Sequence, residues 1–287
     1  MTKISALISD VDGTLVTPDK TLTDANRAAA ARLGAAGIAF AIISSRPPRG
    51  LRMLIEPLAL TTPMAGFNGG VFVTPKLLKT REHLLEPAVA RRAAELIAAR
   101  GAHAWVFTVG SWLVRNAHGP YVAHEERTVQ FPPVVVDDFG AGLDAAGKIV
   151  AVSEDFELLK KLEAEARAIY GGEASVARSQ PYYLDFTHPL ANKGVALIEF
   201  SKLLAIPTEE IAVIGDGGND VAMFERAGLA IAMGNASAEV RAAADLVTGS
   251  NREDGFAGAV DRFILAASRS RSAPATAPRT PRPKQAC

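Results

Sequence analysis

The chain has 287 residues, 48% hydrophobic and 22% charged, which is enough for a large buried core and for two domains. Its 31 basic and 31 acidic residues cancel, so no global field argues for a nucleic acid or an anionic membrane as partner. The start, MTKISALISD, has no charged-then-apolar leader, and no apolar run nears the ~18 residues of a membrane span. The expected location is the cytoplasm.

In chain order, residues 4–9 form an apolar strand that stops on two acids, Asp10 and Asp12. TDANRAAAARLGAAG reads as an alanine-rich helix capped by Thr23 and closed near Gly37. IAFAIISS is a second buried strand, RGLRMLIEPL a short helix ending near Pro57, and PMAGFNGGVFV two short strands about a turn at Asn68, Gly69 and Gly70. Alternation of strand and helix up to about residue 81 implies a parallel sheet with helices on both faces.

The middle of the chain has a different texture. EPAVARRAAELIAARG is a helix, and AWVFTVGSWLVRN is an antiparallel hairpin about Gly110 and Ser111. Residues 120–146 read as irregular. GKIVAVS is a strand, and EDFELLKKLEAEARAIYGG a helix with Phe156, Leu159, Leu162 and Ala166 on one face. ASVARS and YYLDF make another strand pair. Trp105 and Trp112, at strand spacing, read as packing residues. This is the pattern of an α+β unit inserted into the first.

From about residue 189 the first rhythm resumes: helix KGVALIEFSKLLA, strand IAVIGD, helix VAMFERA, strand LAIAMG, helix SAEVRAAA, strand LVTGS and helix GFAGAVDRFILAAS. The last twenty residues hold Arg269, Arg271, Arg279, Arg282, Lys284 and no acid, with too little apolar bulk to repay ordering. Residues 268–287 read as a disordered basic tail. The only cysteine, Cys287, ends it, so no intramolecular disulfide can form, which fits a reducing cytosol. The histidines His83, His103, His118, His124 and His188 show no ligand spacing, and only His188 lies near a junction between the two halves.

Ligands of an open parallel sheet bind outside the carboxyl ends of its strands. Those ends carry Asp10 and Asp12; Ser44, Ser45 and Arg46; and Asp216, Asn219 and Asp220, while Lys193 opens the first helix after the insert. Several carboxylates so close repel, and desolvation raises their pKa values until some protonate. A divalent cation removes that conflict, and an all-oxygen donor set suits Mg²⁺. With Mg²⁺ and Lys193, the site draws in a phosphoryl group whose oxygens Ser44, Asn219 and backbone N–H groups can hold.

DVDGTL, SSRP, NKG and GDGGNDVAMF, followed by AIAMGNASAEVRAAADLVTGSNREDGFAGAV, resemble the four motifs and closing segment of the haloacid dehalogenase (HAD) superfamily. Within it they are similar to the Cof-type phosphatases, type IIB, over about residues 4–266; residues 82–188 match by position and element pattern only. The resemblance implies an α/β fold with a Rossmann-like parallel-sheet core, residues 1–81 and 189–267, and an inserted α+β cap domain, residues 82–188. It implies a Mg²⁺-dependent phosphatase of small phosphorylated metabolites, sugar phosphates or related compounds, working through an aspartyl-phosphate. Asp10 would be the nucleophile and Asp12 the proton donor and acceptor. Asp10, the Asp12 carbonyl and Asp216 would hold Mg²⁺, oriented by Asp220; Val11 N–H, Ser44, Ser45, Lys193 and Asn219 would bind the phosphoryl group. Arg46, Asn68 and Arg178 would face the leaving group. The chain departs from the family pattern at Ser44-Ser45-Arg46, where Thr-Gly-Arg is usual, so the hydroxyl is kept and glycine's backbone freedom is lost. Two alternatives stand beside this: a phosphosugar mutase, which would use Arg115 and Arg178 for a second phosphate, and a catalytically silent scaffold.

Overall fold

The computed structural model describes residues 3–266, and the tail expected over 268–287 lies outside the described residues. The first half supplies β1 (Ala6–Asp10), α1 (Asp24–Ala35), β2 (Ala39–Ile43), α2 (Arg52–Ile55), β3 (Met64–Gly66), β4 (Val71–Val73) and β5 (Lys79–Glu82). The middle supplies α3 (Pro87–Ala99), β6 (His103–Phe107), β7 (Trp112–Val114), α4 (Val122–Val129), β8 (Val134–Val135), β9 (Lys148–Val152), α5 (Phe156–Tyr170), β10 (Ser175–Gln180) and β11 (Tyr183–Thr187). The last part supplies α6 (Lys193–Leu204), β12 (Ile211–Gly215), α7 (Val221–Phe224), β13 (Leu229–Ala232), α8 (Ala238–Ala242), β14 (Leu246–Val247) and α9 (Gly255–Ala259), which runs on as a π-helical turn to Leu265.

Eight strands form one sheet in the order β14-β13-β12-β1-β2-β3-β4-β5, parallel from β14 to β3 and antiparallel at β4 and β5. The antiparallel edge modifies the expectation of a purely parallel core. Every residue of β1, β12 and β4 is buried, because helices cover both faces. Alternate side chains go to opposite sides: Leu7, Ile42 and Ile214 pack with α1 and α9, whereas Ile8, Ala41 and Val213 pack with Leu197 and Phe200 of α6. β5 is wholly exposed and carries Lys79, Arg81 and Glu82, as an unprotected edge should, and sequence pattern gave no sign of it. β1 sits between β2 and β12, so the strand order reverses there, and a crevice opens at its carboxyl end.

The second sheet runs β10-β11-β9-β6-β7-β8 and is antiparallel except between β7 and β8. Its outer face, with Val106, Ile149, Leu184 and Phe186, is closed by Ala93 and Ile97 of α3 and by Leu159, Leu162 and Ala166 of α5. Phe156, expected on that apolar face, is instead 42% exposed, because it opens the helix before the stripe reaches the sheet. The inner face carries Trp105, Phe107 and Trp112, which join the apolar cluster of the first sheet and bear out their reading as packing residues. Residues 120–146 are not irregular throughout: they hold α4, β8 and a 3-10 turn, Gly140–Ala145. α4 is bounded by left-handed residues at both ends, Tyr121 (φ 59°) and Gln130 (φ 62°), and is anchored by Val122 and Val129. Among the described residues no helix is long and apolar enough to cross a membrane.

Candidate active site

The polar groups expected at the strand ends line one crevice of about 620 Å³ between the two sheets, with Asp10, Asp12, Ser45, Arg46, Asn68, Arg178, Lys193, Asp216 and Asn219 on its walls. Lys193 is the centre of its floor. The residue opens α6 behind the Asn192 cap, whose side chain accepts from Val195 N at 2.9 Å. Its side chain is fully buried, and Nζ donates to Asp10 Oδ1 at 2.5 Å and Asp220 Oδ1 at 2.6 Å. A buried ammonium is stable only when so paired, and the two carboxylates hold its pKa up despite burial.

One oxygen each of Asp10, Asp216 and Asp220 lies within 4.8 Å of the others. Lys193 touches two of these three acids and Asp216 touches no cation among the described residues, so the acids outnumber the ammonium. Burial pushes Asp10 well above the carboxylate range, with Asp220 and Asp216 adding to it against Lys193. Burial and the Asp220 charge lift Asp216 to about 6. Asp220 is committed on both oxygens, since Oδ2 accepts from Asp216 N at 3.0 Å and Gly217 N at 2.8 Å. Asp216 points toward Gly13, where φ is +82° and an added Cβ would lie 2.1 Å from Oδ2. Only glycine allows both the turn and that approach. Thr14 Oγ1 donates to Asp216 Oδ1 at 3.3 Å, and Asn235 Nδ2 donates to Oδ2 at 3.1 Å and to Gly13 O at 2.9 Å.

Asp12 is held apart from that cluster. Arg46, 3% exposed, donates from Nε to Oδ2 at 2.6 Å and from Nη2 to Oδ1 at 2.7 Å, and Lys20 Nζ donates to Oδ1 at 2.7 Å. Burial opposes ionisation here, but Arg46 and then Lys20 outweigh it and hold the carboxyl at about 2.

The remaining expected residues are placed less uniformly. Ser44 is buried at the end of β2, with Oγ accepting from Arg46 N at 3.1 Å, and Val11 follows Asp10 directly, fully buried. Asn219 Nδ2 donates to Asn68 Oδ1 at 2.9 Å, so these two side chains meet across the crevice mouth. Arg178 reaches the crevice but is paired with Glu163 at 2.7 Å. Arg115 lies elsewhere, over the Phe139 ring on the wall of a second cavity against α3. Tyr182 and Tyr183, which the sequence places beside Arg178 near the end of the insert, also line the crevice, whereas sequence reasoning missed Lys20, Asn235 and the charged wall of the second unit: Glu125 on α4, Lys148 on β9 and Asp185 on β11. The signal available was a Lys and an Asp at inward positions of two otherwise apolar strands.

Residues 7–260 match the model of the haloacid dehalogenase-like hydrolase family. The chain belongs to that family, and its inserted α+β unit is the Cof-type arrangement. It is 27% identical over 262 residues to a 5-amino-6-(5-phospho-D-ribitylamino)uracil phosphatase of Bacillus subtilis, covering 91% of this chain and 96% of the relative. It is 26% identical over 266 residues to a pyridoxal phosphate phosphatase of Escherichia coli, covering 89% and 96%. A solved haloacid dehalogenase-like hydrolase of Bacteroides thetaiotaomicron superposes with a TM-score of 0.84 at 28% identity, over 91% of this chain and 100% of that one. The protein is accordingly a hydrolase of phosphoric monoesters.

Proposed function

We propose that the protein is a Mg²⁺-dependent phosphatase of small phosphorylated metabolites, sugar phosphates or related polyol phosphates among them, acting in the cytoplasm through an aspartyl-phosphate. One observation carries this: Lys193 bridges Asp10 and Asp220 while Asp216 stands within 4.8 Å, leaving an uncompensated, all-oxygen acid cluster. Such a set fits a hard divalent cation. Asp10, the Asp12 carbonyl and Asp216 would hold it, and Asp220, already bound on both oxygens, would keep Lys193 and the loop at Asp216 in position. Bound there, the ion would offset the charge of the transferring phosphoryl group.

The chain's own residues then divide the work. The Asp10 carboxylate attacks phosphorus, the bond to the leaving oxygen breaks, and that oxygen is protonated through Asp12, which is ionised in the substrate-free site and takes up its proton once the incoming phosphoryl dianion adds negative charge beside it. In the second half Asp12 takes a proton from water, the oxygen attacks phosphorus, and Asp10 and inorganic phosphate are released. Val11 N–H, Ser44, Ser45, Lys193 and Asn219 hold the phosphoryl oxygens, and Arg46 sets the state of Asp12. The unit of residues 82–188 acts as a cap that excludes water and contacts the leaving group, on a core of residues 1–81 and 189–267. The two relatives named above act on monophosphates with ring-bearing and polyol leaving groups, which supports a small-metabolite substrate. The mutase alternative gains nothing from the geometry: Arg178 is spent on Glu163, and Arg115 lies in the other cavity.

Phosphate release from a panel of monophosphates, with Mg²⁺ and with chelator, tests the proposal alongside Asp10→Asn. Mg²⁺-dependent release abolished by the substitution is expected. Appreciable turnover by Asp10→Asn would exclude the covalent route.

A further inference from the structure

The inner wall of the cap is polar where the rest of that sheet face is aromatic. In the β9–β11 register Lys148 lies opposite Thr187 and Asp185 opposite Val150, so Lys148 and Asp185 are diagonal neighbours on the face turned to the crevice. Their charged atoms are 3.6 Å apart, and both residues are 7% exposed. Lys148 also stands over the Phe107 ring at 5.2 Å. Asp185 Oδ1 is buried with no hydrogen-bond partner among the described residues. Glu125, equally buried, projects from α4 into the same space, and no cation in contact neutralises it among the described residues. The Tyr183 hydroxyl is close enough to influence Glu125 but forms no well-aligned bond with it. Asp185 Oδ1 is thus a buried acceptor without a partner on a residue that lines the crevice, which is costly unless a ligand completes it.

The charges around the crevice sharpen the point. Each Lys and Arg lining it already faces a carboxylate: Lys193 with Asp10 and Asp220, Arg46 and Lys20 with Asp12, Arg178 with Glu163, and Lys148 with Asp185; His124, also on the wall beside Tyr182, is held toward its neutral form by burial and by Lys20 and Arg127. When a phosphoryl group occupies the floor, a second anion on the leaving group would meet the acids of the cap and no spare cation.

We infer that Asp185 and Glu125 are the specificity-determining residues of this phosphatase, accepting hydrogen bonds from an uncharged, hydroxyl-bearing leaving group and turning away one that carries a second anion. The inference rests on the phosphatase proposal and adds to it which residues choose and what they reject. A site built to hydrogen-bond a hydroxyl discriminates strongly against the analogue lacking it. The Asp185–Lys148 pair gives a gain-of-function consequence as well. Asp185→Asn removes the charge that occupies Lys148 and frees that ammonium for a second anion.

The test compares kcat/KM for a hexitol monophosphate, n-hexyl phosphate, the hexitol phosphorylated at both ends and p-nitrophenyl phosphate, using the full chain with Mg²⁺. Wild type should favour the hexitol monophosphate over both the alkyl ester and the bisphosphate by at least roughly tenfold each, about the effect of one hydrogen bond to a charged group. Asp185→Asn and Glu125→Gln should each shrink the hexitol-over-hexyl ratio by roughly tenfold. Asp185→Asn should also raise kcat/KM for the bisphosphate in absolute terms, which misfolding cannot imitate. If p-nitrophenyl phosphate is hydrolysed but wild type shows no such preferences, or the ratios stay fixed in both variants, the inference falls and the phosphatase proposal stands. If none of the four esters is hydrolysed, both fall.

Discussion

Arg46 and Asp12 form a two-point ion pair, Nε to Oδ2 at 2.6 Å and Nη2 to Oδ1 at 2.7 Å, with the guanidinium almost wholly buried. A planar fork is needed for this geometry, and lysine cannot supply it. The pair keeps Asp12 ionised, at about 2, although burial alone would push it the other way. Arg46→Lys should therefore lower kcat by roughly 10²-fold, within the range of general acid–base contributions. Where hydrolysis of the aspartyl-phosphate sets kcat, the acidic limb of the pH–kcat profile should move to higher pH, because Asp12 must be ionised to take water's proton and the variant carboxyl takes up its own proton earlier. A lowered kcat with the limb unmoved would show that Arg46 acts on the substrate and not on Asp12.

The same pair makes a stability statement. Asp12 has a folded pKa depressed below the ordinary carboxylate value, so its contribution, about 2 kcal/mol, is present above pH 4 and is lost as pH falls toward 2. Asp216 runs the opposite way: with a folded pKa raised to about 6, its ionised form weakens the fold above that value, and protonation relieves the penalty as pH falls from 7 to 4. Metal-free protein should accordingly melt at a higher temperature near pH 5 than at pH 7, and then lose stability below pH 4. Mg²⁺ at pH 7 should raise Tm more than Mg²⁺ at pH 5, where protons compete for Asp216. Melting curves with chelator and with Mg²⁺ across that range decide the matter.

How much of this was legible in the sequence follows from the range of the interactions. Asp10, Asp216 and Lys193 stand at ends of strongly patterned elements, β1, β12 and α6, and open parallel sheets gather such ends at one edge. The wall facing them could not be read. Lys148 and Asp185 become neighbours only through the antiparallel register of β9 and β11, and a slip of one residue would send both to the other face. α4 has just Val122 and Val129 as apolar anchors in eight residues, too few for a helical period, so Glu125 had no placement before the packing was known. Ser45 for the family's usual glycine proved tolerable, since neither Ser44, Ser45 nor Arg46 takes a positive φ.

Asp220 gives a test of support without direct contact to phosphate. It is fully buried, and its Oδ2 accepts from two successive backbone N–H groups that shape the loop carrying Asp216. Asp220→Asn keeps the volume but offers one acceptor oxygen where two are in use, so either Lys193 or the loop loses its partner. Mg²⁺ affinity should fall by roughly 10–100-fold, as for other changes to groups that orient ligands. Titration calorimetry on the phosphate-free protein reads this without reference to turnover, and an unchanged affinity would mean that Asp216 is placed by Gly13, Thr14 and Asn235 alone.

Lys193→Ala separates the structural part of the site from the chemical one. The lysine side chain is completely buried between Asp10 and Asp220, and neither acid has another basic side chain in contact among the described residues. Removing one partner of a buried pair costs about 3–5 kcal/mol, because the remaining charge is left without compensation. Here two carboxylates are stranded at once, and their protonation is the cheapest escape, so the variant should be most destabilised at neutral pH and recover as pH falls. A divalent cation offers the other escape. Mg²⁺ should therefore raise Tm of Lys193→Ala by more than it raises that of wild type, while phosphate ester turnover stays lost. Equal shifts in the two proteins would mean that Lys193 and the cation do not compensate the same charge.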